Sequence, residues 1–266
     1  MQGNKFRFEL SVLLSSISFI TDIKKFGCMG RHELVRMFGA TALGAAWQPF
    51  SIAITVFGIG VIFGQLFNTP VAKYLPYLCL GIISWQAFTG TLNEAANCLN
   101  ASITSETPYH SLIIFPVRVI SKNIFMCCIN FSVYIVVASV FSLTPSMYQI
   151  LFFLIGFFIF FWNLLFVGII FSLIGALYKD FSHVIRNILQ LAFFLTPIMW
   201  EAKSLQYDWV FNFNPIYHMV NLLRSPLLET DFSLLSVLVM SVIGLFASAI
   251  SLFVWSGYIW LAPYRN

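Results

Sequence analysis

The side chains with chemistry to offer are few, and they stand apart from one another. Four histidines, His32, His110, His183 and His218, are the proton carriers of neutral pH, and none sits in the middle of an apolar run beside a carboxylate. General-base or nucleophilic catalysis needs a base, a nucleophile and an orienting group to converge, and nothing here is spaced for that. The cysteines, Cys28, Cys79, Cys98, Cys127 and Cys128, have no zinc-type spacing and suggest no disulfide framework. The chain contains no Gly-Lys dipeptide, so it has no Walker A loop to cradle ATP phosphates. It is therefore expected to be no enzyme and to hold no metal or cofactor of its own. If it moves something actively, the energy comes from another polypeptide.

The elements that would position such residues are set by composition. Of 266 residues, 59% are hydrophobic and 9% charged, with a mean hydropathy of +0.88, where a soluble domain carries roughly 25% charged residues. Charge-free runs over Met37–Ala72, Tyr74–Asn93, Asn123–Tyr178 and Phe232–Tyr264 give five spans, the third run folding back at Thr144-Pro145-Ser146, since about 20 apolar residues cross a bilayer as helix. A sixth run, His183–Trp200, is short and ends at Pro197. The expected fold is an all-α integral membrane protein, one domain over 1–266, with six transmembrane helices. Spans one, three, four and six hold no Asp, Glu, Lys or Arg, and Glu94 lies near the inner end of span two. A proton- or sodium-coupled carrier would place a charged relay inside the membrane.

Orientation follows the positive-inside rule. With the N-terminus inside, Lys5, Arg7, Lys24, Lys25, Arg31, Arg36, Arg118, Lys122, Lys179, Arg186 and Arg265 face the cytoplasm, against Lys73, Lys203 and Arg224 outside. Both termini are then cytoplasmic. The net charge of +4 is this asymmetry and needs no nucleic acid to explain it. In the cytoplasmic segment 1–36, Leu10, Leu13, Leu14, Ile17 and Ile20 form a stripe, with Ser11, Ser15, Ser18 and Asp22 off it. That is the pattern of an amphipathic interfacial helix; a short uncleaved anchor is the alternative.

Three stretches bear on function. The loop Asn97–Lys122 suggests a short helix followed by a Phe115-Pro116 corner that fits a groove on a cytoplasmic partner; it also reads as a connector ending in a Pro-marked helix start. Among 30 Phe, 10 Tyr and 7 Trp, the residues Trp47, Trp85, Phe88, Trp162, Phe193, Phe194 and Trp200 come from several spans. They either line a channel with flat faces suited to sugar rings or face lipid and neighbouring helices. The connection Glu201–Asp231 crowds Tyr207, Trp209, Phe211, Phe213, Tyr217 and His218 between Pro197, Pro215 and Pro226. It reads as two short re-entrant helices over 198–231 closing the outer mouth, or as an interfacial aromatic belt. Non-helical backbone at membrane depth is tolerated only where protein buries it or where it lines a cavity, which favours the former.

In order along the chain, Leu43-Gly44-Ala45-Ala46-Trp47-Gln48-Pro49, Leu112-Ile113 with Phe115-Pro116, Phe193 to Trp200 around Thr196-Pro197-Ile198, and Asn214-Pro215 followed by Arg224 resemble the signatures of the ABC-2 permease family, in its branch exporting O-antigen, capsule and teichoic acid polymers. Departures are the shorter Trp47–Pro49 spacing and the Arg36-Met37-Phe38 sequence before span one. The resemblance implies a homodimer in the bacterial inner membrane with two copies of a cytoplasmic ATPase, which carries the ATP and Mg. It implies a polysaccharide cargo on undecaprenyl diphosphate. The coupling segment is then 97–116, with Asn100, Glu106, Tyr109, His110, Phe115, Pro116 and Arg118 as contact candidates. The outer gate holds Pro197, Tyr207, Trp209, Asn214, Pro215, Tyr217, His218 and Arg224. Arg31 and Arg36 are candidates for meeting the lipid diphosphate. An ABC-2 permease for a small lipid or drug, and a channel or scaffold with no ATPase, stay open beside this reading.

Overall fold

The computed structural model describes residues 23–39, 44–100, 112–200, 211–228 and 233–261, with side chains between Lys25 and Gly257. Every regular element among these residues is helical. They are α1 (Ile23–Phe38), a 3-10 turn (Gly44–Ala46), α2 (Trp47–Leu66), α3 (Val71–Cys98), α4 (Ile114–Val140), α5 (Met147–Leu177), α6 (Phe181–Leu195), α7 (Pro215–Arg224) and α8 (Leu234–Leu261). A helix satisfies its backbone within one segment, the condition that lipid imposes on any apolar run.

Four helices are long and apolar enough to cross a membrane: Gly44–Leu66, Ile114–Val140, Met147–Leu177 and Leu234–Gly257. α3 is as long, at 28 residues, but less apolar, and 16 of its residues are buried. It touches α2, α4, α5, α6 and α7, so protein rather than lipid surrounds it, and it carries Lys73 and Glu94 at its two ends. α6 has only 15 residues, about 22 Å of rise, against roughly 30 Å of hydrocarbon. Six helices thus stand where the sequence marks six spans, four of them meeting the length and composition of a span unaided.

Local sequence explains the helix ends. Gly44 takes a φ of +55°, a conformation costly for residues with a Cβ. Ser146 and Gln149 close a reciprocal capping box, which fixes the Thr144-Pro145-Ser146 turn where it was expected. Phe115-Pro116 forms no separate corner: both lie in the first turn of α4, where a proline's missing N–H costs nothing. The Pro-marked helix start is what this stretch forms. Asn214 caps α7 through Oδ1, with Pro215 as its first residue.

The amphipathic helix seen at the N-terminal side is α1. Its half-buried Phe26 and Glu33 and its buried Gly30 line the face toward α4, while Arg31, His32, Val35 and Arg36 are exposed. Ser121 Oγ on α4 donates to Phe26 O at 2.5 Å, and a Cβ on Gly30 would meet Ser121 Oγ at 2.3 Å. The stripe Leu10–Ile20 lies outside the described residues. α5 is pinned at both ends by backbone approach. A Cβ on Gly156 would lie 2.2 Å from Leu222 O in α7, and one on Gly175 would lie 1.9 Å from Ala96 O in α3.

Candidate functional site

Polar side chains gather at the two ends of this bundle, and α3 reaches both. From Tyr77 to Glu94 the helix rises about 25 Å at ~1.5 Å per residue, close to the apolar thickness of a bilayer.

At the Tyr77 end, α6 stops at Leu195 and the chain runs irregularly through Pro197 to Trp200. The carbonyls of that stretch find donors on α3 and α7. Tyr74 Oη donates to Met199 O at 2.5 Å. Tyr77 Oη lies 2.8 Å from Trp200 O and 3.1 Å from Pro197 O, one proton serving both. Arg224 is 3% exposed; it donates to Pro197 O at 2.8 Å and to Asn221 Oδ1 at 2.9 Å. Its guanidinium carbon stands 4.1 Å from the centre of the Tyr77 ring. A buried charge is costly unless hydrogen-bonded, and here carbonyl, amide and π face supply that solvation.

α7 is held around this point on every side. Its last seven residues, His218 to Arg224, are all buried. Asn214 Nδ2 donates to Thr196 Oγ1 at 3.3 Å. The His218 ring bridges Ser236 Oγ of α8 and Asn212 O, each at 2.9 Å. Because Asn212 O can only accept, Nε2 carries a proton. Trp200, Phe211, Tyr217 and His218 stack in sequence at 5.5, 5.8 and 5.6 Å. The structure therefore gathers Pro197, Asn214, Pro215, Tyr217, His218 and Arg224, whereas Tyr207 and Trp209 lie outside the described residues.

The aromatic candidates fall into separate groups within the chain. Trp85 contacts Phe88 at 5.8 Å and Phe193 at 5.5 Å, and Phe193 meets Phe194 at 5.4 Å, joining α3 to α6. Trp200 belongs to the Tyr77 end. Trp47 is exposed beside Phe50 on α2. Trp162 stacks between Phe158 and Phe166 on α5 and packs against Gly244 of α8.

At the Glu94 end, α1, α3, α4 and α6 surround a cavity of about 740 Å³ with Glu33, Arg36, Glu94, Arg118, Lys122 and Arg186 in its walls. Among the described lining residues, four cations stand against two carboxylates. Lys122 is 5% exposed, with Nζ 2.5 Å from both oxygens of Glu94, and Asn123 Nδ2 adds a bond of 3.2 Å to the same carboxylate. Glu33 pairs with Arg36 on its own helix and lies 3.9 Å from Arg118 on α4. Arg118 also stands over the Phe115 ring at 5.5 Å. Nearby, Asn100 Nδ2 donates to Gly175 O at 2.8 Å, tying the end of α3 to α5. Of the two proposed diphosphate contacts, Arg36 lines the cavity and Arg31 is exposed on α1. Glu106, Tyr109 and His110 lie outside the described residues.

Sequence reasoning did not single out Tyr74, Tyr77, Glu33, Lys122 or Arg186 as site residues. Glu94 and Lys122 carried a usable signal, each a charge at the same end of an apolar helix with the next helix antiparallel. Tyr74 and Tyr77 carried a weaker one: they sit three residues apart, hence on one helical face.

Among the described residues the chain is all-helical, with four helices long and apolar enough to cross a membrane: the fold of a multi-pass membrane protein. The family model for the ABC-2 type transporter matches residues 24–228, from α1 to just past α7. The chain belongs to the ABC-2 type transporter family and is the membrane subunit of a transporter. Two curated relatives from Klebsiella pneumoniae, each an O-antigen export system permease protein RfbA, are 24% and 22% identical over 226 residues. Each alignment covers 81% of this chain and 81% of the relative. The resemblance drawn from the ordered motifs is borne out.

Proposed function

We propose that the chain is the permease subunit of an ATP-driven exporter that carries a lipid-linked, O-antigen-like polysaccharide from cytoplasm to periplasm through a homodimeric channel. The observation that carries this reading is the likeness to O-antigen export permeases over 81% of both chains. Six spans, with both termini cytoplasmic, place the Glu94 end inside and the Tyr77 end outside. Two copies of a separate ATPase bind ATP and Mg and press on the coupling segment 97–116. Asn100, bonded to Gly175, and Lys122, paired with Glu94, pass that displacement to α3, α4 and α5. The outer segment 198–231, clamped by Tyr77 and Arg224, opens for the polymer and recloses. Trp85, Phe88, Phe193 and Phe194 offer sugar-stacking faces between the two ends.

Deleting the chain should leave the lipid-linked polymer inside the cell, and restoring it together with its ATPase should return the polymer to the surface. Surface polymer at unchanged levels in the deletion overturns the reading. Copurification of a P-loop ATPase from gently solubilised membranes is the accompanying result expected.

A further inference from the structure

Midway along α3, uncharged polar side chains appear that neither polar end explains. Gln86 lies about 12 Å from Glu94 and about 13 Å from Tyr77 by helical rise. Gln48 at the start of α2 donates through Nε2 to Gln86 Oε1 at 3.1 Å, which leaves Gln86 Nε2 and Gln48 Oε1 with no further partner among the described residues. Two contacts fix which face of α6 meets this level. Arg186 shares the inner cavity with Asn93 and Asn97, and Phe193 stacks on Trp85 at 5.5 Å. Positions 186, 190 and 193 recur on one helical face, so the exposed Gln190 falls between those two contacts. On α3 the half-buried Thr89 falls between Trp85 and Asn93 in the same way; its hydroxyl donates to Trp85 O at 2.9 Å and can still accept.

Polar side chains at membrane depth are costly and face a bundle interior or a water-filled cavity. Each carboxamide offers two N–H donors and a carbonyl acceptor, which matches the neighbouring hydroxyls of a sugar, and Trp85 and Phe193 set apolar ring faces beside them. The guanidiniums stand at the two ends, Arg186 at the cavity and Arg224 already bonded to Pro197 O and Asn221 Oδ1. A carboxylate carried past the middle sheds water among amides and rings and gains no counter-charge from them, whereas a hydroxyl exchanges its water for an amide. We propose that Gln48, Gln86, Thr89 and Gln190 form a hydrogen-bonding track for the hydroxyls of an uncharged glycan, and that this track selects neutral over polyanionic polymers. The proposal rests on the export reading and names the substrate class within it.

The test uses intact cells holding the full chain and its ATPase, supplied with two lipid-linked polymers of equal length and identical ends. One is a neutral polyhexose and the other is the same polymer with hexuronates interspersed; surface polymer is measured against polymer retained inside. The unaltered chain should export the neutral polymer severalfold better. Gln190→Leu should lower neutral export severalfold, the scale of one neutral hydrogen bond. Gln86→Lys should raise export of the uronate polymer above that of the unaltered chain, a gain that misfolding does not produce. Lys73→Gln, exposed at the Tyr77 end, should change neither. Equal or better export of the uronate polymer by the unaltered chain overturns the track alone, as does a ratio unmoved by both Gln190→Leu and Gln86→Lys. A ratio unmoved by Gln190→Leu while cross-linking shows the homodimer lost also overturns it, and makes these amides a contact between two copies. Export of neither polymer overturns the export reading and the track together.

Discussion

Arg224 and Tyr77 illustrate how two side chains make a helix break tolerable inside an apolar bundle. Tyr77→Phe takes the Tyr77 donor from the carbonyl of Trp200, while Pro197 O keeps Arg224; a buried group left unsatisfied costs about 1–3 kcal/mol. A lowered melting temperature of the detergent-purified protein checks this. Glu94→Ala should cost more, about 3–5 kcal/mol, because it strands the buried Lys122 ammonium. The double change Glu94→Leu with Lys122→Met should recover most of that loss, so a double variant no more stable than the single one refutes the pairing. Residues such as Arg224, Pro197 and Asn214 were legible from sequence because a charge, a proline and a capping amide are conspicuous among apolar neighbours. Glu33 was not, since one carboxylate on a polar helix looks like any other. Tyrosines at a helix start read equally as interfacial anchors.

α5 is the element whose sequence most tightly dictates its surroundings. Gly175→Ala puts a methyl 1.9 Å from Ala96 O, a backbone atom that moves only with α3, so it should destabilise the bundle by several kcal/mol and disturb the Asn100 contact. Gly60→Ala on α2 meets side chains rather than backbone, Leu75 Cδ2 at 2.8 Å and Leu78 Cδ2 at 3.6 Å, and a small shift of the Leu75 side chain relieves it. Thermal unfolding of the two variants should differ sharply; equal stability would show that α3 and α5 do not approach this closely. Helix positions were legible from charge-free runs because lipid selects composition directly. The short helix α7 was legible through its Asn-Pro start. The pairing of helices was not, since it depends on small residues and buried amides such as Asn163, whose Nδ2 reaches Met240 O at 3.0 Å, and these have no periodic signature.

For the whole molecule, the proposed orientation makes a direct prediction. A cysteine at Lys73 should react with a membrane-impermeant maleimide applied outside intact spheroplasts, and one at Arg186 only after permeabilisation. The reverse pattern inverts the topology. α3 joins the two polar ends across a distance of about 25 Å, so a displacement at Glu94 is delivered to Tyr77 by one continuous helix, with Pro76 just before the clamp as the natural bending point.

Arg224 has one more effect, on ions rather than on backbone. Sealed at 3% exposure among carbonyl oxygens and an aromatic ring, it is a positive charge in a low-dielectric setting, at what the proposed function makes the outer mouth of the pathway. A proton or sodium ion approaching there meets repulsion that side-chain packing alone does not provide, in the way that an arginine excludes cations from a water-filled pore. On the proposed export of a long polymer, the permease must hold its aperture against the proton-motive force between transport cycles. A buried guanidinium lets the resting state insulate electrically even where its van der Waals seal is imperfect.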